Sequence, residues 1–156
     1  MPSRVDPVSE LVPLIVLDTN VVLDWLLFGN PECAPLAAAL AGGHVRWVAT
    51  PAMRDELAHV LARGTLAAWQ PDAPALLAHW DRHCTEVAAP DPTPPAQNLR
   101  CTDPDDQKFI DLAIGRGARW LLSRDRAILK LARRLREQGV HALTPQRCAE
   151  AFGRDP

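Results

Sequence analysis

Short apolar runs alternate along this chain with longer stretches whose apolar residues recur at helical spacing. Residues 14–17 (Leu-Ile-Val-Leu) form a continuous apolar run, as expected of a strand buried on both faces. The run stops at Asp18. Thr19 and Asn20 suit a helix start, Val21, Val22, Trp25, Leu26 and Phe28 follow at roughly helical spacing, and Gly29 suits a stop. The same order returns three times. A strand at 45–49 leads into the Thr50-Pro51 start of a helix over 52–62; a strand at 120–122 leads through Ser123-Arg124-Asp125 into a helix over 126–138; a strand at 140–143 leads through Thr144-Pro145 into a terminal helix ending at Phe152. Between these lie a helix over 31–41, a short helical piece at 65–69, a helix over 75–83 that starts from Pro71-Asp72, a weak strand at 87–89 and a helix over 103–116. Pro90, Pro92, Pro94, Pro95 and Pro104 mark a surface connection, and residues 1–13 a loose lead-in. Strands alternating with helices predict an α/β fold whose mainly parallel sheet is covered on both faces, in a single domain over 1–156 with its core at about 14–143.

Two strands end in the same way, with an apolar run followed by Asp and a helix. These acids are Asp18 and Asp125. Open parallel sheets place ligands at the carboxyl ends of their strands, although each Asp also suits a helix cap, and Ser123 competes with Asp125 for that role. In the helix opening at Asp103, that residue fits the cap, and Asp105 and Asp106 fall in the first turn, where the helix dipole favours acids. The inward stripe is Phe109, Ile110 and Ala113. Asp106 lies on it, Asp105 at its edge, and Asp111 faces away. An acid on a core-facing stripe is costly unless something meets it. Glu56 shares a face with Met53, Val60 and Arg63 and points partly inward; a surface pair with Arg63 or Arg54 is the alternative.

If Asp18, Glu56, Asp106 and Asp125 converge, they cannot all remain ionised without a counter-charge. Oxygen-only ligation selects Mg²⁺ or Mn²⁺ over Zn²⁺, and such a site suits phosphodiester hydrolysis. Asn20 and Ser123 would hold the Asp carboxylates in place, or act as ordinary caps.

Composition narrows this reading. With 156 residues, 47% hydrophobic and 23% charged, the chain is ordinary globular material, and a net charge of −2 argues against a purely electrostatic nucleic-acid binder. The charge is uneven: between Arg116 and Arg136 there are eight Lys/Arg and one acid, Asp125. Arg124 and Arg126 flank that acid and are candidates for phosphate contact, whereas Lys130 to Arg136 read as a solvated helix face. Cys33, Cys84, Cys101 and Cys148 form no C-x-x-C pair and read as reduced thiols. The five histidines show no metal-ligand spacing, and the tryptophans read as core or interface. The apolar stretch around residues 11–17 is too short for a signal peptide core or membrane span, so a cytoplasmic protein without a membrane anchor is expected.

Four segments together resemble the PIN-domain ribonucleases, in particular the bacterial toxin-like branch related to the VapC toxins. They are Leu-Asp-Thr-Asn-Val-Val-Leu at 17–23, Met-Arg-Asp-Glu-Leu-Ala-His-Val-Leu-Ala-Arg at 53–63, Asp-Pro-Asp-Asp-Gln-Lys-Phe-Ile-Asp-Leu-Ala at 103–113 and Leu-Leu-Ser-Arg-Asp at 121–125. Arg124 stands where that family usually has Gly. The resemblance implies a three-layer α/β/α sandwich, metal-dependent cleavage of RNA, and an acidic site of Asp18, Glu56, Asp106 and Asp125 supported by Asn20 and Ser123. Asp103 and Asp105 also match the pattern. The expectation is therefore a Mg²⁺- or Mn²⁺-dependent endoribonuclease acting as the toxin of a toxin-antitoxin pair; this reading admits a cognate antitoxin and a homodimer as partners. Two rivals remain at this stage. One is a non-catalytic RNA- or protein-binding domain of the same fold, which four intact carboxylates disfavour. The other is a phosphohydrolase with Asp18 as nucleophile, a chemistry that wants an acid two residues on, where this chain has Asn20.

Overall fold

The computed structural model describes residues 12–92 and 99–153. Five strands form one sheet: β1 (Leu14–Leu17), β2 (Arg46–Ala49), β3 (Thr85–Glu86), β4 (Trp120–Leu122) and β5 (His141–Leu143). Their order is β3-β2-β1-β4-β5, and every pairing is parallel. Helices cover the sheet in an α/β/α arrangement. They are α1 (Thr19–Leu26), α2 (Ala34–Ala41), α3 (Pro51–Ala62), α4 (Ala73–His83), α5 (Gln107–Gly115), α6 (Arg126–Leu129), α7 (Ala132–Glu137) and α8 (Cys148–Gly153). Ile15, Val16, Trp47, Val48, Leu121 and Leu122 are almost wholly buried, which is why the central strands read as unbroken apolar runs. Trp47 packs edge-on against Trp25 and Trp80, while Trp69 is exposed. The four cysteines are free thiols, and burial raises the pKa of Cys33 to about 11 and of Cys148 to about 12. Among the described residues, no helix is long and apolar enough to cross a membrane.

The chain builds outward from β1 to β2 and β3, then returns to the other side of β1 for β4 and β5. The order therefore reverses between β1 and β4, leaving a crevice beyond their carboxyl ends. The register pairs Leu17 with Leu122, and Asp18 N–H extends the ladder to Leu122 C=O at 3.1 Å. Ser123 N–H continues toward β5, donating to Leu143 C=O at 2.9 Å. Asp18 and Ser123 are thus fixed side by side by backbone pairing. Helix α5 packs on both β1 and β4 and brings its own first turn to this edge.

The helices expected over 31–41 and after Thr144-Pro145 open with 3₁₀ turns, Pro31–Cys33 and Pro145–Arg147, and three further elements differ from the sequence expectation. The weak strand at 87–89 lies at Thr85–Glu86 instead; its two residues pair with Val48 and Ala49 while remaining exposed, so no apolar run marks them. The long helix at 126–138 is two helices separated at Lys130 and Leu131. Ile128, Leu131 and Leu135 are all buried, so their apolar stripe runs through the break and hides it. The helix opening at Asp103 begins as a 3₁₀ turn over Pro104–Asp106 before α5 starts at Gln107. The lead-in at 1–13 falls mostly, and the proline-rich connection partly, outside the described residues.

Candidate active site

The crevice is an open cleft of about 220 Å³ whose lining includes Asp18, Glu56, Asp103, Asp105, Asp106 and Asp125. Asp103, Asp106 and Asp125 each present a carboxylate oxygen within 4.8 Å of the others. Two of these three, Asp106 and Asp125, were expected from the sequence. Asp103 adds the third, although its clearest sequence signature is that of a helix-start acid.

Capping and cleft lining turn out to be compatible. Asp125 Oδ1 accepts from Ala127 N–H at 2.8 Å, capping α6, and Asp103 Oδ1 accepts from Asp105 N–H at 3.0 Å. Each retains a second carboxylate oxygen. Asp106 makes no capping hydrogen bond. Its Oδ2 is buried and has no hydrogen-bond partner among the described residues, a costly state for an oxygen of this kind. Burial, followed by the adjoining Asp125 carboxylate, pushes the Asp106 pKa up to about 7. Asp125 moves down, held chiefly by its contact with the Asp106 carboxyl and then by the Ala127 amide.

Asp18 is buried at the back of the cleft, only 3% exposed. Its Oδ1 accepts from Val21 N–H at 2.8 Å, capping α1, and its Oδ2 accepts a short hydrogen bond from the Ser123 hydroxyl. Burial raises its pKa to about 6 even though both hydrogen bonds oppose the rise. Ser123 Oγ also accepts from Asp125 N–H at 2.9 Å, so one hydroxyl links the two strand-end acids. Ser123→Ala leaves Asp18 Oδ2 and the Asp125 amide without that partner. It is expected to cost about 1–3 kcal/mol of stability and to weaken Mn²⁺ binding by about 10–100-fold, measured by urea titration and Mn²⁺ titration of the same preparation.

Glu56 lines the cleft but is held from two sides. Thr19 Oγ1 donates a short hydrogen bond to one oxygen, and Lys108 Nζ donates to the other at 2.6 Å. The alternative surface pairs do not form: Arg54 forms a two-pronged ion pair with Asp81, and Arg63 lines the cleft without an ion pair among the described residues. Asn20 lines the cleft as an exposed residue, with no side-chain hydrogen bond to an Asp among the described residues. Arg124 does not line the cleft; its guanidinium binds Asp24 at 2.5 Å and Glu32 at 2.6 Å. Arg126 is exposed at the first position of α6. Lys130, Arg133 and Arg134 border a separate shallow hollow with Glu137.

An all-oxygen donor set around a partnerless carboxylate oxygen fits a hard divalent cation. A parallel α/β sheet with such an acidic cleft at its switch point defines the class of protein. A family model of the PIN domain matches residues 14–127, and the chain belongs to that family. PIN domains are generally nucleases, and they typically use divalent metals. No curated protein and no solved structure matches the chain.

Proposed function

We propose that this protein is a Mg²⁺- or Mn²⁺-dependent endoribonuclease acting in the cytoplasm. The observation that carries the reading is the Asp106 carboxyl: its Oδ2 is buried with no hydrogen-bond partner among the described residues, and one of its oxygens lies within 4.8 Å of oxygens of Asp103 and Asp125. Asp103, Asp106 and Asp125 would hold the ion, with Asp18 behind them and Asn20 at the rim. When bound, the ion supplies Lewis-acid activation of water and neutralises charge on the phosphate. The protein's own contribution is placement. Ser123 fixes the Asp18 carboxylate, Asp125 is oriented by the start of α6, and Arg63 offers a guanidinium at the cleft for a backbone phosphate. Arg126 follows Asp125 directly and is exposed, whereas Arg124 would first have to leave Asp24 and Glu32.

The toxin role rests on the four resembling segments. It predicts that a cognate antitoxin is encoded next to the gene and suppresses the activity when co-purified. Single-stranded RNA incubated with the protein and Mn²⁺ is expected to be cut internally, and chelator is expected to stop cutting. Uncut RNA at millimolar Mn²⁺, with ion binding intact, would favour the non-catalytic RNA- or protein-binding reading.

A further inference from the structure

The family model leaves open how many cations the cleft takes, and the environment of Glu56 bears on that number. Among the described residues, six carboxylates line this cleft. Asp103, Asp106 and Asp125 converge on one another, with Asp18 close behind, and Asp105 lines the cleft outside that cluster. Glu56 is absent from the convergent group. It sits on α3, and both of its oxygens already receive hydrogen bonds, one from Thr19 and one from Lys108. Lys108 is not a casual surface partner. Its Nζ also donates to Asp105 C=O at 2.6 Å, so the ammonium is tied to the 3₁₀ turn that carries Asp106. It further lies over the Phe109 ring, 4.9 Å from the centroid. Its side chain is 30% exposed and that of Glu56 28%, so the pair is shielded more than a surface ion pair. A compact ammonium held in three ways beside a half-buried carboxylate does the electrostatic task of a cation.

We infer that Lys108 is a built-in counter-cation of the cleft: its ammonium neutralises Glu56, so the protein takes a single divalent ion, at Asp103, Asp106 and Asp125. This inference rests on the metal-dependent reading above. It makes Lys108 a positioning residue, which holds Glu56 away from the ion and spans from α3 to the turn that carries Asp106.

The test is Mn²⁺ stoichiometry, read by isothermal calorimetry and by electron paramagnetic resonance of the free ion. The wild-type protein is expected to bind one Mn²⁺. Lys108→Met frees Glu56 and is expected to bind two, the second more weakly. The double variant Lys108→Met with Glu56→Gln is expected to return to one. Two ions in the wild-type protein would overturn the inference while leaving the metal-dependent reading intact. So would a single ion in a Lys108→Met protein whose far-ultraviolet circular dichroism matches wild type. No Mn²⁺ binding to the wild-type protein would instead overturn the metal-dependent reading, and the inference with it. The wild-type count requires no substitution, so the inference remains falsifiable even if Lys108→Met does not fold.

Discussion

Asp106→Asn is expected to lower RNA cleavage by about 10²–10³-fold, the loss typical when one preorganised electrostatic group is removed from a reacting centre. The same variant is expected to leave the metal-free protein at least as stable as wild type. Both effects come from one carboxyl. Burial first, and then the adjoining Asp125 carboxyl, raise its pKa to about 7, and its Oδ2 has no hydrogen-bond partner among the described residues. In the metal-free fold this is a liability, because ionising the group sets it against Asp125, Asp103 and Asp18. An Asn side chain has nearly the same shape, carries no charge, and its amide can donate to Asp125. The gain is on the order of 1 kcal/mol above pH 7, reduced from the full effect of the raised pKa because solvent screens a group this exposed. The loss is of a negatively charged ligand, so Mn²⁺ affinity should fall together with cleavage. Cleavage at the wild-type rate would remove Asp106 from the site. A large fall in stability would mean that the residue mainly supports the start of α5. A functional residue that costs the fold stability is a recognised trade-off.

The sequence makes the sheet and the strand-end acids legible because both depend on local signals. Apolar runs mark the strands buried on both faces, and the residue after each strand of a parallel sheet has only one edge to occupy. Asp106 is legible because a helical stripe gives direction as well as burial. Asp103 is harder, since its cap signature gives no reason to look further, and only the structure shows that capping occupies one oxygen and leaves the other. Lys108 is invisible to periodicity. Its partner Glu56 is 52 residues away, and no spacing rule links a position on α5 to one on α3. Arg124 misleads for the same reason: its neighbour Asp125 suggests a role in phosphate contact, yet Asp24 and Glu32, 100 and 92 residues distant, hold its guanidinium. The Ser123 hydroxyl bridging Asp18 and Asp125 requires the register of β1 against β4, which the composition of either strand does not contain.

The chelated protein is expected to lose about 2 kcal/mol of stability between pH 5 and pH 7.5, and saturating Mn²⁺ is expected to abolish that loss. Asp18 and Asp106 carry the effect. Their pKa values are raised from 3.8 to about 6 and about 7, first by burial in both cases. In this window the native state retains protons that the unfolded chain has released, so stability falls as pH rises. Asp18 is nearly fully buried, and holding it at about 6 costs the fold about 3 kcal/mol once it is ionised; roughly half of that develops between these two pH values. Asp106 adds a smaller share because water screens it. Asp125 acts in the opposite sense. Its pKa is lowered, so its stabilising contribution is complete above the ordinary carboxylate range and disappears only in stronger acid. A bound divalent ion supplies the counter-charge that both raised acids lack. At a concentration 100 times its dissociation constant it adds about 2.7 kcal/mol, and because it competes with the protons its effect grows with pH. Urea midpoints at pH 5 and pH 7.5, with chelator and with Mn²⁺, measure all four corners of this comparison. Asp106→Asn should flatten the chelated slope only in part, because Asp18 remains. A chelated protein equally stable at both pH values would mean that these two carboxyls titrate near their ordinary value, and that the cleft admits more water than its burial implies.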